Sequence, residues 1–356
     1  MNKIYKKIKE KIFYPFKKRF LILRKKEIKK EINCIKYKNF LIYEIIDGEI
    51  FTNSVDDAAY IKKNYILEGP SYQYRNSINS NIRNNTILKS GINRFSKKIR
   101  GNILSLISGG SAKHNYGHWL FDVLSRLLII KKMNRFKKID YYYVPAFKFQ
   151  FQKDSLYYLN IKKKQIISSE NNKYIKADKI ISTDHPFKHR FDKIPKHIFE
   201  DVRRNFLKLS SNSKIKKHDK IYIERDYSNF DFNNLKKFKN ERILVNNKAV
   251  KKFLEFNGFH TYKAINLSLA DQIKIFSNAK IIVSMFGAEL SNLVFCKPKT
   301  RVIEIKTNKK LTDFTNISNK CKLKHHQINI KPMYKTNYKQ NGILECPIEK
   351  LKIAIS

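Results

Sequence analysis

Apolar and polar positions alternate differently in the two halves of the chain. In the first half, short runs rich in β-branched and aromatic residues predict strands. These runs cover residues 38–46, 102–108, 140–146 and 176–187. Between the second and third runs, an apolar stripe at helical spacing predicts a buried helix that begins near Asn115 or Tyr116, after the loop 108–111. The first half is therefore expected to be an α/β domain.

In the second half, strand patterns and helix patterns follow each other in regular alternation. Strands are predicted over residues 220–226, 259–265, 280–284 and 301–306, and helices over residues 247–256, 269–279 and 287–295. Ser268 with Asp271 three residues later is a capping-box signature for the second of these helices. Such alternation predicts a parallel sheet with helices on its faces.

Length and composition indicate more than one domain. A chain of 356 residues with 42% hydrophobic residues is long enough to bury two cores. Prolines around Pro186 and Pro195 mark the expected boundary. We expect a basic N-terminal arm over residues 1–37, an α/β domain over residues 38–195 and a Rossmann-like domain over residues 196–356.

The charge of the chain is strongly positive. It has 75 Lys and Arg residues against 30 Asp and Glu residues, a formal net charge of +45. Such a field attracts nucleic acid, anionic lipid or phosphorylated substrates. Because the charge is spread along almost the whole chain, a compositional bias toward lysine is an equally open explanation.

The N-terminal arm alternates Ile, Phe and Leu with Lys and Arg at roughly helical spacing. This pattern suits a helix that lies on an anionic membrane surface, although a solvated basic arm is the open alternative. No apolar run approaches the length of about 18 residues that spans a bilayer, and no signal-peptide pattern begins the sequence. Four widely spaced cysteines argue against a zinc ribbon or a disulfide scaffold and favour a reducing cytoplasm.

Polar residues follow two predicted strands of the second half. Ligands bind at the carboxyl ends of strands in open parallel sheets. Arg225 follows one strand, and the turn from Ser284 to Gly287 follows another and precedes a helix, whose free amides can bind an anion. Gly287 would let a phosphate approach closely, or it simply makes a tight turn. Neither the dinucleotide fingerprint nor the P-loop pattern is present, which disfavours dehydrogenases and P-loop NTPases.

The predicted helix of the first half carries His118 and Asp122 one turn apart. At this spacing Asp122 can bond one ring nitrogen of His118 and raise the basicity of the other, which would create a general base. Alternatively, the pair fastens the helix to its neighbours. Arg126, one turn further, either holds Asp122 or meets an anionic substrate.

Three blocks together resemble the family 61 glycosyltransferases, a group that includes bacterial capsular polysaccharide biosynthesis proteins. The blocks are NYGHWLFDVLSRL, IYIERD and LSLADQIKIFSNAKIIVSMFGAELSNLVFCKPKTRVIEI, and the resemblance covers roughly residues 100–306. It implies a GT-B-like α/β fold of two Rossmann-type domains with parallel sheets facing a cleft. It also implies a nucleotide-sugar donor and no metal bound through an Asp-x-Asp motif.

The resemblance assigns roles residue by residue. His118, oriented by Asp122, would be the catalytic base. The acceptor side would include Asn115, Trp119 and Arg126, and the donor-binding residues would be Arg225, Gly287, Ala288, Glu289, Asn292 and Glu304, of which Asn292 and Glu304 would position the nucleoside. The chain departs from the family pattern at Met285 and Phe286, where Pro-His is common, and at Glu289, where a second glycine is common.

We therefore expect a metal-independent, inverting reaction in surface polysaccharide biosynthesis, in which a sugar passes from a nucleotide-diphosphate donor to a glycan or lipid-linked acceptor. The enzyme would be cytoplasmic and peripheral on the inner face of the cell membrane. A catalytically degenerate scaffold of a polysaccharide assembly complex is one alternative. A basic nucleic-acid-binding protein is another, although no helix-turn-helix, RNP or zinc-finger spacing supports specific nucleic-acid binding.

Overall fold

The computed structural model describes residues 20–52, 58–71, 82–107, 114–133, 136, 138–186, 194–307, 310 and 312–356. The chain divides into two compact units, Met1–Ile194 and Pro195–Ser356. Residues 1–19 of the basic arm and the loop 108–111 lie outside the described residues. Among the helices that the structure describes, none combines the length and the apolar character needed to cross a bilayer.

The first unit contains nine strands and four labelled helices in its described residues. The strands are β1 (Leu21–Leu23), β2 (Asn33–Tyr37), β3 (Phe40–Thr52), β4 (Ala58–Lys62), β5 (Tyr65–Leu67), β6 (Lys97–Ser105), β7 (Tyr141–Val144), β8 (Ile166–Ser168) and β9 (Tyr174–Thr183). The helices are α1 (Lys25–Glu31), α2 (Thr86–Ser90), α3, which runs from Tyr116–His118 through Trp119–Leu124 to Ser125–Lys132, and α4 (Gln150–Tyr158). Short 3₁₀ helices lie at Ile82–Asn84 and Lys163–Gln165.

The sheet of the first unit is mixed, which corrects the expectation of a purely parallel Rossmann-type sheet. Its order is β1-β5-β4-β3-β9-β6-β7-β8, and β2 pairs with β3. The strands β2, β3, β4 and β5 pair in antiparallel fashion along the chain, because they are joined by short connections that allow no helical crossover. β1 pairs with β5 in parallel at one edge of the sheet, whereas β9, β6, β7 and β8 form a parallel half that has α3 and α4 in its crossovers. This half positions the candidate base.

Residues 20–37 belong to this unit, although the sequence pattern had placed them in the basic arm. β1 pairs with β5, and β2 pairs with β3. Ile28 of α1 and Ile32, which follows this helix, are buried in the core with Tyr43. Ile28 and Ile32 therefore pack in the core of this unit, whereas Leu21 of β1 is exposed.

The second unit contains seven strands and five α-helices in its described residues. The strands are β10 (Lys220–Glu224), β11 (Arg242–Leu244), β12 (His260–Lys263), β13 (Ile281–Met285), β14 (Arg301–Lys306), β15 (Lys324–Asn329) and β16 (Gly342–Leu344). The helices are α5 (Lys196–Phe206), α6 (Asn247–Phe256), α7 (Leu269–Asn278), α8 (Asp313–Lys320) and α9 (Ile348–Ile355). The 3₁₀ helices are Leu207–Asn212, Phe232–Phe238, Ala264–Asn266 and Ala288–Phe295.

The main sheet of the second unit is parallel throughout, as the alternating pattern predicts. Its order is β12-β10-β13-β14-β15, and β11 pairs with β16 in a separate parallel pair. Within this sheet the first strand lies between the second and the third, so the strand order reverses between β10 and β13. Such a reversal opens a crevice at the carboxyl ends of the two strands. Val283 and Ile303 of this sheet pack in one core cluster with Leu254 of α6.

Local signals placed most helices of this unit correctly. The helix α6 has the predicted bounds, and the Ser268 side chain accepts a hydrogen bond from the backbone N–H of Asp271 at 3.1 Å, which confirms the cap. The predicted helix 287–295 is instead a 3₁₀ helix, Ala288–Phe295. Its N-terminus therefore presents a tighter turn of backbone than an α-helix would.

Candidate functional site

The helix α3 starts as its sequence predicts. Asn115 is the N-cap, and its side-chain oxygen accepts a hydrogen bond from the backbone N–H of His118 at 3.2 Å. Residues Trp119–Leu124 then form a π-helical turn before the α-helix resumes at Ser125. Such turns change the angular spacing of side chains and are frequent at functional sites. The simple one-turn geometry assumed for His118 and Asp122 is therefore altered.

Asp122 is fully buried and is held by two cationic or ionisable partners. Its Oδ1 lies 3.1 Å from Nε of Arg126, and its Oδ2 lies 3.1 Å from Nε2 of His185. Burial raises the pKa of Asp122, but the charges of His185 and Arg126 outweigh this effect and lower the pKa to about 2. Asp122 is therefore a carboxylate at neutral pH.

Arg126 holds Asp122 rather than facing a substrate. Only 1% of the residue is exposed. Its Nη1 donates to the backbone oxygen of Ile107 at 3.2 Å and to that of Thr183 at 3.5 Å. These oxygens follow or end the neighbouring parallel strands β6 and β9, so Arg126 fixes α3 to the carboxyl edge of the sheet. Its expected place on the acceptor side is corrected.

His185, which contacts the buried Asp122 carboxylate, is a residue that sequence reasoning missed. It follows β9 and is 3% exposed. Burial lowers the pKa of His185, and the neighbouring Asp122 opposes this shift. The only available signal was its position directly after a buried strand, where ligand-binding residues gather in parallel sheets.

His118 lies partly at the surface. It is half-buried, whereas Asp122 and His185 are buried. The electrostatic influence of His118 reaches both of them, which places the three side chains in one group. His118 is thus an electrostatic neighbour of Asp122, while the two carboxylate oxygens of Asp122 contact Arg126 and a second histidine, His185. We call His118, Asp122, Arg126 and His185 the histidine group.

Trp119 packs in the core and offers no surface to an acceptor. It is fully buried, its Nε1 donates to Oγ of Ser155 in α4 at 2.9 Å, and its ring contacts Phe151 edge to face. Its expected place on the acceptor side is therefore wrong, because an indole with a buried hydrogen-bond partner serves helix packing. Asn115 is exposed, but its side chain caps the helix.

In the second unit, Arg225 and Glu289 meet at the reversal of strand order. Arg225 follows β10, and Glu289 lies in the first turn of the 3₁₀ helix after β13. Nη1 of Arg225 donates to Oε1 of Glu289 at 3.1 Å, with 24% and 18% of the side chains exposed. The pair therefore lies in the crevice where open parallel sheets bind ligands, and solvent reaches it.

Because Gly287 has no side chain, it leaves space for this ion pair. The backbone at Gly287 is extended, a conformation that any residue adopts. A Cβ atom there would lie 2.2 Å from Oε2 of Glu289 and 2.6 Å from Nη1 of Arg225. Space rather than backbone freedom thus requires glycine, and Ala288 begins the 3₁₀ helix beside it.

Arg242 is a second cation beside this pair, and sequence reasoning missed it. It is half-buried at the start of β11, and its Nη1 donates to the backbone oxygen of Phe286 at 3.2 Å. Its guanidinium also lies 5.8 Å from the centroid of the Phe286 ring. Burial lowers the pKa of Arg242 and the charge of Arg225 adds to this shift, whereas Glu289 opposes it. No local pattern marks an arginine at the start of a strand as a ligand-binding residue.

Asn292 and Glu304 are fully buried, so their expected contact with a nucleoside is corrected. The side-chain amide of Asn292 donates to Oε1 of Gln272 at 2.9 Å, which ties the 3₁₀ helix to α7. Glu304 Oε2 lies 3.0 Å from Nε2 of His325 and 3.4 Å from Nζ of Lys306. Both side chains thus serve packing inside the unit.

Within the part of the chain that the structure describes, no group of three or more His, Cys, Asp and Glu side chains is arranged to hold a metal ion. The fold and the position of Arg225 are typical of α/β proteins that bind ligands at the carboxyl ends of parallel strands.

Comparison with known families names a narrower class. A family model described as Glycosyltransferase 61 matches residues 116–303, more than half of the chain, and the chain therefore belongs to the glycosyltransferase 61 family. The matched region begins at α3 and ends within β14. No curated protein matches the sequence. Membership supports glycosyl transfer as the activity and implies a sugar donor and an acceptor.

Proposed function

We propose that the protein transfers a sugar from a nucleoside-diphosphate donor to a hydroxyl group of a glycan or lipid-linked acceptor in the biosynthesis of a surface polysaccharide. The observation that carries this proposal is the position of Arg225, with Gly287 beside it, at the strand-order reversal of a parallel sheet in a family 61 chain. A guanidinium group is suited to bind phosphate oxygens through two parallel hydrogen bonds.

On the donor side, Arg225 stabilises the diphosphate as it leaves. Negative charge develops on the phosphate oxygen when its bond to the anomeric carbon breaks. A preorganised cation, together with backbone amides of the first turn after Gly287, stabilises this charge without a metal ion. The proposed reaction is accordingly metal-independent.

On the acceptor side, His118 is the proposed base. It takes the proton from the acceptor hydroxyl while the oxygen forms its bond to the anomeric carbon, and the electron pair of the breaking bond leaves with the diphosphate. One displacement of this kind inverts the anomeric carbon. Asp122 and Arg126 hold the helix that carries His118 in place. His118 belongs to the first unit and Arg225 to the second.

The donor class is tested by calorimetric titration of UDP-, GDP-, CMP- and dTDP-sugars at physiological ionic strength. We expect selective binding of one nucleotide class to the wild type, weakened roughly 10- to 100-fold in Arg225→Ala because a charged hydrogen-bond partner is lost. Lys324→Ala, which removes one exposed cation at the start of β15, controls for net charge and should bind as the wild type does.

Three outcomes of this titration contradict the proposal. Binding of no nucleotide sugar favours a degenerate scaffold of a polysaccharide assembly complex. Binding that Lys324→Ala weakens as much as Arg225→Ala reduces the effect to general charge attraction. Tight, salt-dependent binding of DNA or RNA without nucleotide-sugar binding favours a nucleic-acid-binding protein.

The basic N-terminal residues support a second part of the proposal, a peripheral position on the cytoplasmic face of the cell membrane. Because residues 20–37 belong to the sheet of the first unit, a deletion that tests this contact ends at residue 19. The full chain should bind vesicles with anionic phospholipid, and the chain without residues 1–19 should bind them at least about tenfold more weakly, since each basic residue near the surface contributes attraction.

Neutral phosphatidylcholine vesicles serve as the control in a sedimentation assay. They should retain neither protein, because the attraction requires anionic headgroups. If the shortened chain still sediments with anionic vesicles as the full chain does, the membrane contact lies elsewhere on the protein.

A further inference from the structure

Two arginine side chains lie against consecutive residues of the turn after β13. Nη1 of Arg242 bonds the backbone oxygen of Phe286, and Nη1 of Arg225 lies over Gly287, the next residue. Arg225 comes from the end of β10, and Arg242 comes from the start of β11. Two separate strands therefore place guanidinium groups at one short turn, at the carboxyl end of β13.

The charged groups at this turn come from several elements. Arg225 pairs with Glu289, and the charges of Arg225, Glu289 and Glu241 all act on Arg242. Nη1 of Arg242 bonds a backbone carbonyl at this turn, which carries no formal charge. Arg242 therefore places a second half-buried guanidinium group at the turn, beside the pair of Arg225 and Glu289.

Glu289 is placed where an anionic ligand of Arg225 would have to bind. Its carboxylate accepts a hydrogen bond from the Arg225 guanidinium beside Gly287. A Cβ atom at Gly287 would find no room next to this pair. With 24% of Arg225 and 18% of Glu289 exposed, exchange of the carboxylate for another anion requires only a side-chain rotation. Ion pairs with this exposure are weak, so a multivalent anion can displace the carboxylate.

We propose that Arg225 and Arg242 together form a site for two linked phosphates, and that Glu289 is the counter-ion that occupies Arg225 until the ligand displaces it. This inference rests on the proposed function and adds two residues, Arg242 and Glu289, to its donor site. Two guanidinium groups at adjacent residues select a nucleoside-diphosphate sugar over a nucleoside-monophosphate sugar. The departure from the family pattern at Glu289 thereby has a role in ligand exchange.

Inorganic pyrophosphate is the probe, because it carries the linked phosphates without a nucleoside or sugar. Calorimetry at physiological ionic strength should show that Arg242→Ala and Arg225→Ala each weaken pyrophosphate binding roughly 10- to 100-fold. Orthophosphate, which one arginine can hold, should lose less affinity in Arg242→Ala. Glu289→Gln should strengthen pyrophosphate binding about two- to fivefold, because the competing carboxylate is removed.

Matched variants separate this site from the general charge of the chain. Lys324→Ala removes one positive charge, and Glu349→Gln removes one negative charge, both at exposed positions. Each should bind pyrophosphate as the wild type does. Arg242→Lys keeps the charge but loses the planar fork, and it should weaken pyrophosphate binding even where Arg242→Ala fails to fold.

Wild-type pyrophosphate affinity in both Arg242 variants would overturn the two-arginine site. Unchanged or weaker binding to Glu289→Gln would overturn the counter-ion role. If the nucleotide-sugar titration succeeds and is lost in Arg225→Ala while these outcomes occur, the proposed function stands and this inference alone fails. If the wild type binds pyrophosphate as described but no nucleotide sugar, the anion site stands and the donor assignment fails.

Discussion

Replacing His118 with alanine should lower the rate of glycosyl transfer by about 10²- to 10⁴-fold, the usual contribution of a general base. His118 has the exposed surface of the histidine group, so it is the member that an acceptor hydroxyl can reach. The affinity for the donor should not change, because the proposed donor residues belong to the other unit. Steady-state turnover and calorimetric donor binding measure the two effects separately.

The matched control is His326→Ala, which removes an exposed histidine of β15. Its turnover should equal that of the wild type. Turnover at the wild-type level in His118→Ala would show that another group takes the acceptor proton. Loss of donor affinity in the same variant would instead mean that the substitution disturbs more than the base.

Replacing Asp122 with asparagine should cost about 3–5 kcal/mol of stability in the first unit, since the change leaves the buried Arg126 without its charge partner. The side chain keeps its shape, so cavity formation contributes little. Trp119 is the only tryptophan of the chain and lies buried in α3, close to Asp122 in sequence. Its fluorescence during urea unfolding therefore reports on the first unit selectively.

Glu170→Gln makes the same carboxylate-to-amide change in a pair that solvent reaches. Glu170 lies 3.1 Å from Nζ of Lys148, and the Lys148 and Glu170 side chains are 63% and 14% exposed. Its loss should cost about 0–1 kcal/mol. Equal effects of the two substitutions would contradict the structural importance assigned to the buried pair.

The Asp122 carboxylate also makes stability depend on pH. Its pKa in the folded state is about 2, below its ordinary value of 3.8. Its contribution is therefore complete above about pH 4 and is lost as the pH falls through 2. As the pH falls from about 4 to 2, the free energy of unfolding should decrease less in Asp122→Asn than in the wild type. The same fluorescence measures this difference.

Local patterns determined the elements of the second unit and the ends of its helices. The alternation of apolar runs predicted the parallel sheet, Ser268 marked the start of α7, and Asn115 marked the start of α3 in the first unit. These features depend on neighbouring residues, because caps and turns are satisfied within a few positions along the chain. Arg225 and Gly287, which the family motif also includes, lie beside each other in the structure.

Only the tertiary structure decided which distant residues share a site. Arg126 bonds Thr183, 57 residues away, and His185 joins Asp122 because β9 lies beside β6 in the sheet. Arg242 reaches Phe286 in the same way, through strand order rather than spacing. The periodicity of a sequence specifies which face of an element is buried, but it carries no record of the neighbour against which that face packs. The partners in the two candidate sites, and the burial of Asn292 and Glu304, were therefore decided only by the assembly of the strands.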